Sequence, residues 1–155
     1  MLFQLFNDVT QYLEYQNQMK ALEVVAMTTK TILLIYKEPN MQEVVKACLT
    51  DLGGWNVRVA NSTLEGLRQA ILYQPDSIIL DISTGAIDEF LFLKQLKTLP
   101  TTQGIPVVLL TLKAKWVDLQ QSLFPQDKIA AVIVNPLDPA MLSVQIAQAL
   151  GWDLH

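Results

Sequence analysis

Short hydrophobic runs alternate with longer amphipathic segments from residue 31 to residue 150. A short apolar run bounded by turn residues is typical of a buried strand, and apolar residues repeating at helical spacing are typical of a helix. Strands are predicted at 31–35, 55–60, 77–81, 106–111 and 129–134, of which 55–60 alternates between apolar and polar residues, and helices at 41–52, 62–73, 87–98, 113–123 and 139–150. This alternation predicts an α/β fold with a five-stranded parallel sheet and helices on both faces.

An extra N-terminal helix is predicted over residues 1–27, which contain neither proline nor glycine. Leu2, Phe6, Val9 and Leu13 follow one another at spacings of four, three and four, so they form one apolar stripe. Packing on the chain's own domain, pairing with a second copy and docking on a protein partner all remain open for this helix. Association with a membrane surface is disfavoured because no lysine or arginine precedes Lys20.

The third strand, residues 77–81, runs from apolar residues into a single carboxylate, that of Asp81. In open α/β sheets, ligands bind in the crevice at the carboxyl ends of the strands, so Asp81 is expected at the mouth of that crevice. The turn after the first strand lacks the glycines of dinucleotide-binding and P-loop motifs. It reads Tyr36-Lys37-Glu38-Pro39-Asn40, which disfavours both kinds of nucleotide site.

Composition disfavours several further classes of function. Hydrophobic residues make up 51% of the chain and charged residues 17%, as in globular proteins. A net charge of −4 without any basic run disfavours nucleic-acid binding. Cys48 is the only cysteine and His155 the only histidine, which excludes an internal disulfide and argues against histidine catalysis and most zinc sites.

Three segments are predicted: an N-terminal helical extension at 1–29, a compact domain at 30–150 and a C-terminal tail at 151–155. We expect no output domain, because the sequence ends five residues after Leu150. No apolar run approaches the length of a membrane span, and the N-terminus lacks the basic start of a signal peptide. A cytoplasmic location is therefore predicted.

Five pieces of the sequence, in order, resemble the receiver domain of two-component response regulators. They are the first strand with its turn, the second strand with the following helix start, the third strand, the fourth strand, and the fifth strand with its turn, at 32–40, 54–62, 75–82, 105–111 and 132–139. The resemblance covers residues 30–150. It implies a flavodoxin-like (CheY-like) fold and a signalling module that is not an enzyme.

In this family an aspartate accepts a phosphoryl group with the help of Mg²⁺, which two acidic residues after the first strand hold. A hydroxyl and a lysine contact the phosphoryl oxygens, because developing charge on the transferred group must be neutralised. The resemblance makes Asp81 the candidate phosphoacceptor and Thr111 the residue whose hydroxyl would contact the phosphoryl oxygens. The position of the family's lysine is occupied by Asn135, which precedes Pro136.

The metal-holding positions depart furthest from the family pattern. Tyr36 and Lys37 stand where the acidic pair is expected, and Glu38 is acidic but one position late. Asp81 beside a lysine is a weak Mg²⁺ site, so no cofactor is predicted. We expect a Lys37–Asp81 ion pair in the space that Mg²⁺ fills in an active receiver.

Farther along the chain, Asp88 and Glu89 are expected to form solvated helix surface.

These observations predict a degenerate receiver, or pseudo-receiver, that acts as a protein–protein interaction module in signalling without normal Mg²⁺-dependent phosphorylation. The alternative is a functional single-domain response regulator that a histidine kinase phosphorylates on Asp81, with Glu38 holding the metal. A protein partner is predicted, with a homodimer through the N-terminal helix as one form. Neither nucleic acid nor membrane is expected as a partner.

Overall fold

The structure, a computed structural model, describes residues 2–82, 87–112, 129–135 and 138–153. It divides into two compact units, Met1–Lys30 and Thr31–His155. The first unit is one helix, α1 (Leu2–Thr28), as the sequence predicts. In the described part of the chain, no helix has the length and hydropathy that crossing a bilayer requires.

The second unit is built around a parallel five-stranded sheet. Its strands are β1 (Thr31–Ile35), β2 (Asn56–Ala60), β3 (Ser77–Asp81), β4 (Val107–Leu112) and β5 (Ile129–Asn135), in the order β2-β1-β3-β4-β5. The predicted flavodoxin-like arrangement is confirmed. The strand order changes direction between β1 and β3, which places a crevice beside the carboxyl ends of these two strands.

The helices of this unit are α2 (Pro39–Ala47), α3 (Thr63–Tyr73), α4 (Ile87–Thr98) and α5 (Pro139–Leu150). The helix predicted at 41–52 begins two residues earlier than expected, at Pro39. Its last part, Cys48–Leu52, is a π-helical turn that extends α2. The helix predicted at 113–123 lies outside the described residues. The remaining predicted elements agree with the structure to within one or two residues at each end.

Two apolar cores lie on opposite faces of the sheet because alternate residues of each strand point to opposite sides. Leu33, Ile35 and Leu80 belong to the core that also holds Phe92 and Leu93 of α4. The core on the other face contains Ile32, Leu34 and Ile79 together with Val45 of α2 and Leu142 of α5. The sheet is therefore covered by helices on both faces, as predicted, with α4 and α2 on different sides.

Polar side chains fix where several elements begin. Ser62 accepts a hydrogen bond from the Glu65 amide (3.2 Å) and caps α3, as a serine three residues before a glutamate often does. Asp138 caps α5 by accepting from the Ala140 amide (3.1 Å). Thr31 donates its amide to the Asp76 carboxylate (2.8 Å) and accepts from the Asp76 amide (2.8 Å), which ties the starts of β1 and β3 together.

Candidate functional site

Asp81 ends β3, the central strand, whose five residues are all buried. Its side chain keeps only 8% of its accessible surface. In the sheet register Ile35 pairs with Leu80, so Tyr36 follows β1 at the level of Asp81 on the neighbouring strand. The predicted position of Asp81 beside the crevice therefore agrees with the geometry of the sheet.

Thr111 lies on the other side of Asp81, on β4. Asp81 pairs with Leu110, so Thr111 is one residue farther along the neighbouring strand. Thr111 is fully buried, and its hydroxyl donates a hydrogen bond to the Leu112 carbonyl (3.3 Å). Asn135 ends β5 opposite Leu112; its side chain and all of Pro136 lie outside the described residues, so their predicted part in the site is not described.

Tyr36 contributes a buried phenol to this edge of the sheet, with 6% of its surface exposed. Burial raises the pKa of Tyr36 above its ordinary value of 10.0, and the nearby charges of Asp81 and Glu38 raise it further. A neutral phenol does not replace the charge of a carboxylate ligand. Tyr36 therefore cannot supply the negative charge that a divalent cation needs at this position.

Glu38 is engaged as the N-cap of α2. Its two carboxylate oxygens accept hydrogen bonds from the backbone amides of Asn40 (3.0 Å) and Met41 (2.6 Å). A carboxylate at this position satisfies amides that have no partner within the helix and interacts favourably with the helix dipole. The late acidic residue of the turn is thus used to begin a helix, while Pro39 takes the first helical position.

Lys37 pairs with Glu89, and not with Asp81 as predicted. Its Nζ lies 2.8 Å from Oε1 of Glu89, in the first turn of α4. Side chains alternate between the two faces of the sheet along β1, and this alternation explains the difference. Lys37 lies an even number of residues from Leu33 and Ile35, whose side chains are on the face that α4 covers. Asp81 has the parity of Ile79, which belongs to the core on the opposite face.

The electrostatics of Lys37 agree with this pairing. The contact with Glu89 is the main reason that the pKa of Lys37 lies above its ordinary value of 10.5. The charges of Asp88 and Asp81 raise this pKa in addition, Asp81 least. The Lys37 ammonium therefore stands in a field of several carboxylates and binds one of them directly.

Glu89 is buried in this site, so the prediction of solvated helix surface is wrong for it. Its side chain is only 3% exposed. The 2.8 Å contact with Lys37 is within the range of charge-assisted hydrogen bonds, although its alignment is poor, since neither Glu89 oxygen has a well-aligned donor among the described residues. The signal was present in the helical spacing, because Glu89 precedes the buried residues Phe92, Leu93 and Leu96 by three, four and seven positions.

Gln42 was also missed. Its side-chain amide is buried and donates to the Tyr36 carbonyl (2.9 Å) and to Oδ1 of Asn61 (2.9 Å), with a longer contact to the Ala60 carbonyl (3.4 Å). This amide joins the turn after β1 to the turn after β2. Nothing in the spacing of apolar residues signals it, because a glutamine on a surface helix is ordinarily exposed.

The described residues do not fit the metal site of an active receiver. Across residues 2–82, 87–112, 129–135 and 138–153, no group of three or more metal-ligating side chains is arranged to hold an ion. An ammonium stands at one expected ligand position and a phenol at the other, and the acidic residue of the same turn, Glu38, caps a helix.

Comparison with known proteins agrees with this architecture. The family model of the response regulator receiver domain matches residues 32–147. Response regulator Rre1 of Synechocystis is 30% identical over 121 residues, which cover 78% of this chain and 52% of Rre1. The chain thus spans about half the length of this curated relative.

Solved structures share the fold at lower identity. The chemotaxis response regulator CheY4 of Vibrio cholerae is 21% identical, with a TM-score of 0.68 over 79% of this chain and 99% of CheY4. The receiver domain of a sensor histidine kinase from Pseudomonas aeruginosa, which has a magnesium ion coordinated in its active-site cleft, is 22% identical, with a TM-score of 0.67 over 80% and 99% of the two chains. Since the family model covers most of the sequence and the sheet has the matching order, this chain belongs to the response regulator receiver domain family.

Proposed function

We propose that this chain is a pseudo-receiver, a protein-interaction module of two-component signalling that works without Mg²⁺-dependent phosphorylation of Asp81. The observation that carries this proposal is the Lys37–Glu89 ion pair, whose ammonium also feels the charge of Asp81. It places a positive charge where an active receiver needs carboxylates for a metal. Phosphoryl transfer to an aspartate depends on cations that neutralise the transferred group, and here an internal carboxylate already binds the available ammonium.

The use of Glu38 supports the same proposal. If Glu38 held a metal, its carboxylate would have to leave the amides of Asn40 and Met41 or share its oxygens with the ion. Losing an N-cap costs a protein about 1 kcal/mol, which weakens any metal site formed in this way. The alternative metal site thus competes with the start of α2.

The direct test is the intact mass of the full chain after incubation with acetyl phosphate and Mg²⁺, with Asp81→Asn as the control. We expect no added phosphoryl group in either protein. An adduct that forms on the unsubstituted chain and is lost in Asp81→Asn would overturn the proposal. A catalytically active receiver domain treated in parallel verifies that the reagent is competent.

The second candidate is a functional response regulator that is phosphorylated on Asp81. Asp81 and Thr111 favour it, because the candidate acceptor and the hydroxyl lie at the ends of neighbouring strands, as the family's chemistry requires. Its specific prediction is a Mg²⁺ affinity that disappears in Glu38→Gln. If both Glu38→Gln and the unsubstituted chain fail to bind Mg²⁺, this candidate is excluded.

We also propose that α1 provides a protein-binding surface, with a second copy of the chain as the first partner to test. The apolar stripe predicted from the sequence is exposed: Leu2 is 83%, Phe6 69%, Val9 50% and Leu13 55% accessible. Spacings of four and three are those of a helix that pairs with another helix. Exposed apolar residues in this number mark a surface that is covered by another molecule in many proteins.

Light scattering coupled to size-exclusion chromatography tests the α1 surface. We expect the full chain to dimerise and Phe6→Asp to be monomeric, because a charge in the stripe must be desolvated on pairing. Gln11→Asp is the matched control, since Gln11 is an exposed polar residue of the same helix. A monomeric full chain, or equal mass for the two variants, would exclude a homodimer through this stripe.

A further inference from the structure

The apolar pattern of α3 is inverted relative to that of an ordinary surface helix. Gly66 and Ala70, two small residues, lie on its buried side. Its outward side carries Leu64, Ile71 and Leu72, all of them exposed. A surface helix ordinarily turns its apolar stripe to the core. Large apolar side chains gathered on the outward side are typical of a surface that another molecule covers.

This outward stripe continues into a depression between α3 and α4. Leu64 and Leu67 border both, and Leu91 lines the depression from α4. We call this continuous surface the α3–α4 groove. From Leu64 to Leu72 it follows eight residues of helix, which corresponds to about 12 Å. The groove is therefore long enough for about two turns of a partner helix.

Arg68 places a positive charge in the middle of the α3–α4 groove, four residues from Leu64 and four from Leu72. Its side chain is 70% exposed, and its ion pair with Glu65 is long, at 3.6 Å. An ion pair between exposed side chains contributes little free energy. The guanidinium can therefore bind a carboxylate of a partner, for which its planar donors are well suited.

The same arginine disfavours pairing of the stripe with itself. Two copies that pack α3 against α3 about a twofold axis, with Leu64 of one against Leu72 of the other, bring their Arg68 side chains together. Like charges that face each other weaken an interface, whereas a carboxylate at this position strengthens it. Asp88 lines the groove on the α4 side, so the partner needs a carboxylate at Arg68 and not a uniformly acidic surface.

We infer that the α3–α4 groove binds an amphipathic helix of a protein partner, with apolar side chains over the leucines and a carboxylate against Arg68. Anchors at spacings of three and four residues are those of a helix that docks in an apolar groove. The inference deepens the proposed function and rests on it, because it assigns a surface and a partner chemistry to the interaction module.

Fluorescence anisotropy with two labelled helical peptides tests the inference on the full chain. Both peptides carry leucines on one face at spacings of three and four, and the positions that flank this face are glutamates in one peptide and lysines in the other. Leu64→Gln with Leu72→Gln removes the apolar contacts; both side chains are exposed, and equal far-ultraviolet circular dichroism verifies the fold. Val44→Gln with Leu52→Gln is the matched control, because these are exposed apolar residues of α2 and its π-helical extension.

We expect the unsubstituted chain to bind the glutamate peptide about threefold more tightly than the lysine peptide, and Arg68→Glu to reverse this preference. The double variant at Leu64 and Leu72 should bind at least about tenfold more weakly than the control double variant. Equal affinity of the two double variants would overturn the inference. So would the absence of binding, a preference for the lysine peptide, or a preference that Arg68→Glu leaves unchanged.

Further outcomes separate this groove from the other proposals. Phe6→Asp should leave the peptide affinity unchanged, and a loss of binding in this variant would assign the peptide to α1 and overturn the inference. A dimeric chain that becomes monomeric on substitution of Leu64 and Leu72 would make a second copy the occupant, which also overturns it. A phosphoryl adduct on Asp81 would contradict the proposed function, whereas failure of peptide binding without any adduct would contradict only the inference.

Discussion

Replacing Lys37 by methionine should destabilise the fold more than replacing an exposed lysine normally does. The substitution leaves Glu89 with 3% exposure and without its ionic partner. At 2.8 Å the pair attracts by about 1.5 kcal/mol at the dielectric constant of water and by about 6 kcal/mol at an effective value of 20. Because 39% of the Lys37 side chain is exposed, solvent screening brings the expected loss to about 2–3 kcal/mol.

Urea unfolding followed by tryptophan fluorescence measures this loss. Trp55 is buried and lies edge-on to Trp152 at 5.4 Å between ring centroids, so unfolding exposes a fluorophore of the core. Lys94→Met is the control and should change the free energy of unfolding by less than about 0.5 kcal/mol. Glu89→Gln should cost less than Lys37→Met, because the ammonium left behind has access to water whereas the carboxylate does not.

The double variant decides whether the two residues act together. Lys37→Met with Glu89→Gln should recover most of the stability that Lys37→Met loses, since no uncompensated charge stays buried. This corresponds to a coupling energy of about 1 kcal/mol or more in a double-mutant cycle. The reasoning is refuted if Lys37→Met behaves like Lys94→Met, or if the effects of the two substitutions simply add.

Three further predictions test neighbouring features. Gln42→Leu should lower the free energy of unfolding by about 1–3 kcal/mol, because the Tyr36 carbonyl loses its buried donor. Urea unfolding measures this loss, with Gln95→Leu on the exposed surface of α4 as the control; equal stability of the two variants would contradict the role of Gln42. Glu38→Ala should cost about 1 kcal/mol by the same assay through loss of the α2 cap, while Glu38→Gln, which keeps an acceptor oxygen, should cost less. The pKa of Tyr36 should lie above its ordinary value of 10.0. The difference in absorbance near 295 nm between the unsubstituted chain and Tyr36→Phe should therefore develop at higher pH than for free tyrosine, and ionisation at the free pKa would contradict the burial of this phenol.

The raised pKa values of Tyr36 and Lys37 also determine how stability responds to alkali. Each group holds its proton more tightly in the folded chain than in the unfolded chain, whose values are about 10.0 and 10.5. The unfolded state therefore releases these protons first as the pH rises, and the folded state loses stability above about pH 10. Below that window both contributions are fully present.

The positions of the strands along the chain could be predicted because each is a short apolar or alternating run bounded by polar turns. Residues 77–81 are the clearest case, since all five are buried and the strand ends in Asp81. Local signals were equally direct at the starts of helices, where Ser62 and Asp138 cap α3 and α5. These features depend on neighbours in sequence, which a single chain displays.

Contacts between distant elements could not be predicted in the same way. Lys37 and Glu89 are far apart in the sequence, and their pairing depends on which face of the sheet α4 covers. In α3 the buried side is likewise not the most apolar one: Leu64 is 80% and Leu72 60% exposed, whereas Gly66 and Ala70 are buried. Small residues are needed there because a Cβ on Gly66 would lie 2.4 Å from Cδ1 of Ile35 on the strand beneath.

The burial of Glu89 restricts the order in which this site could change during evolution. A chain that exchanged Lys37 first would pass through a less stable protein with an uncompensated internal carboxylate, which selection for folding disfavours. A chain that exchanged Glu89 first would retain an ammonium that still has access to water. Chains with an acidic residue at position 37 are therefore expected to carry a neutral residue at position 89, and the same order of exchange is advisable in engineering this domain.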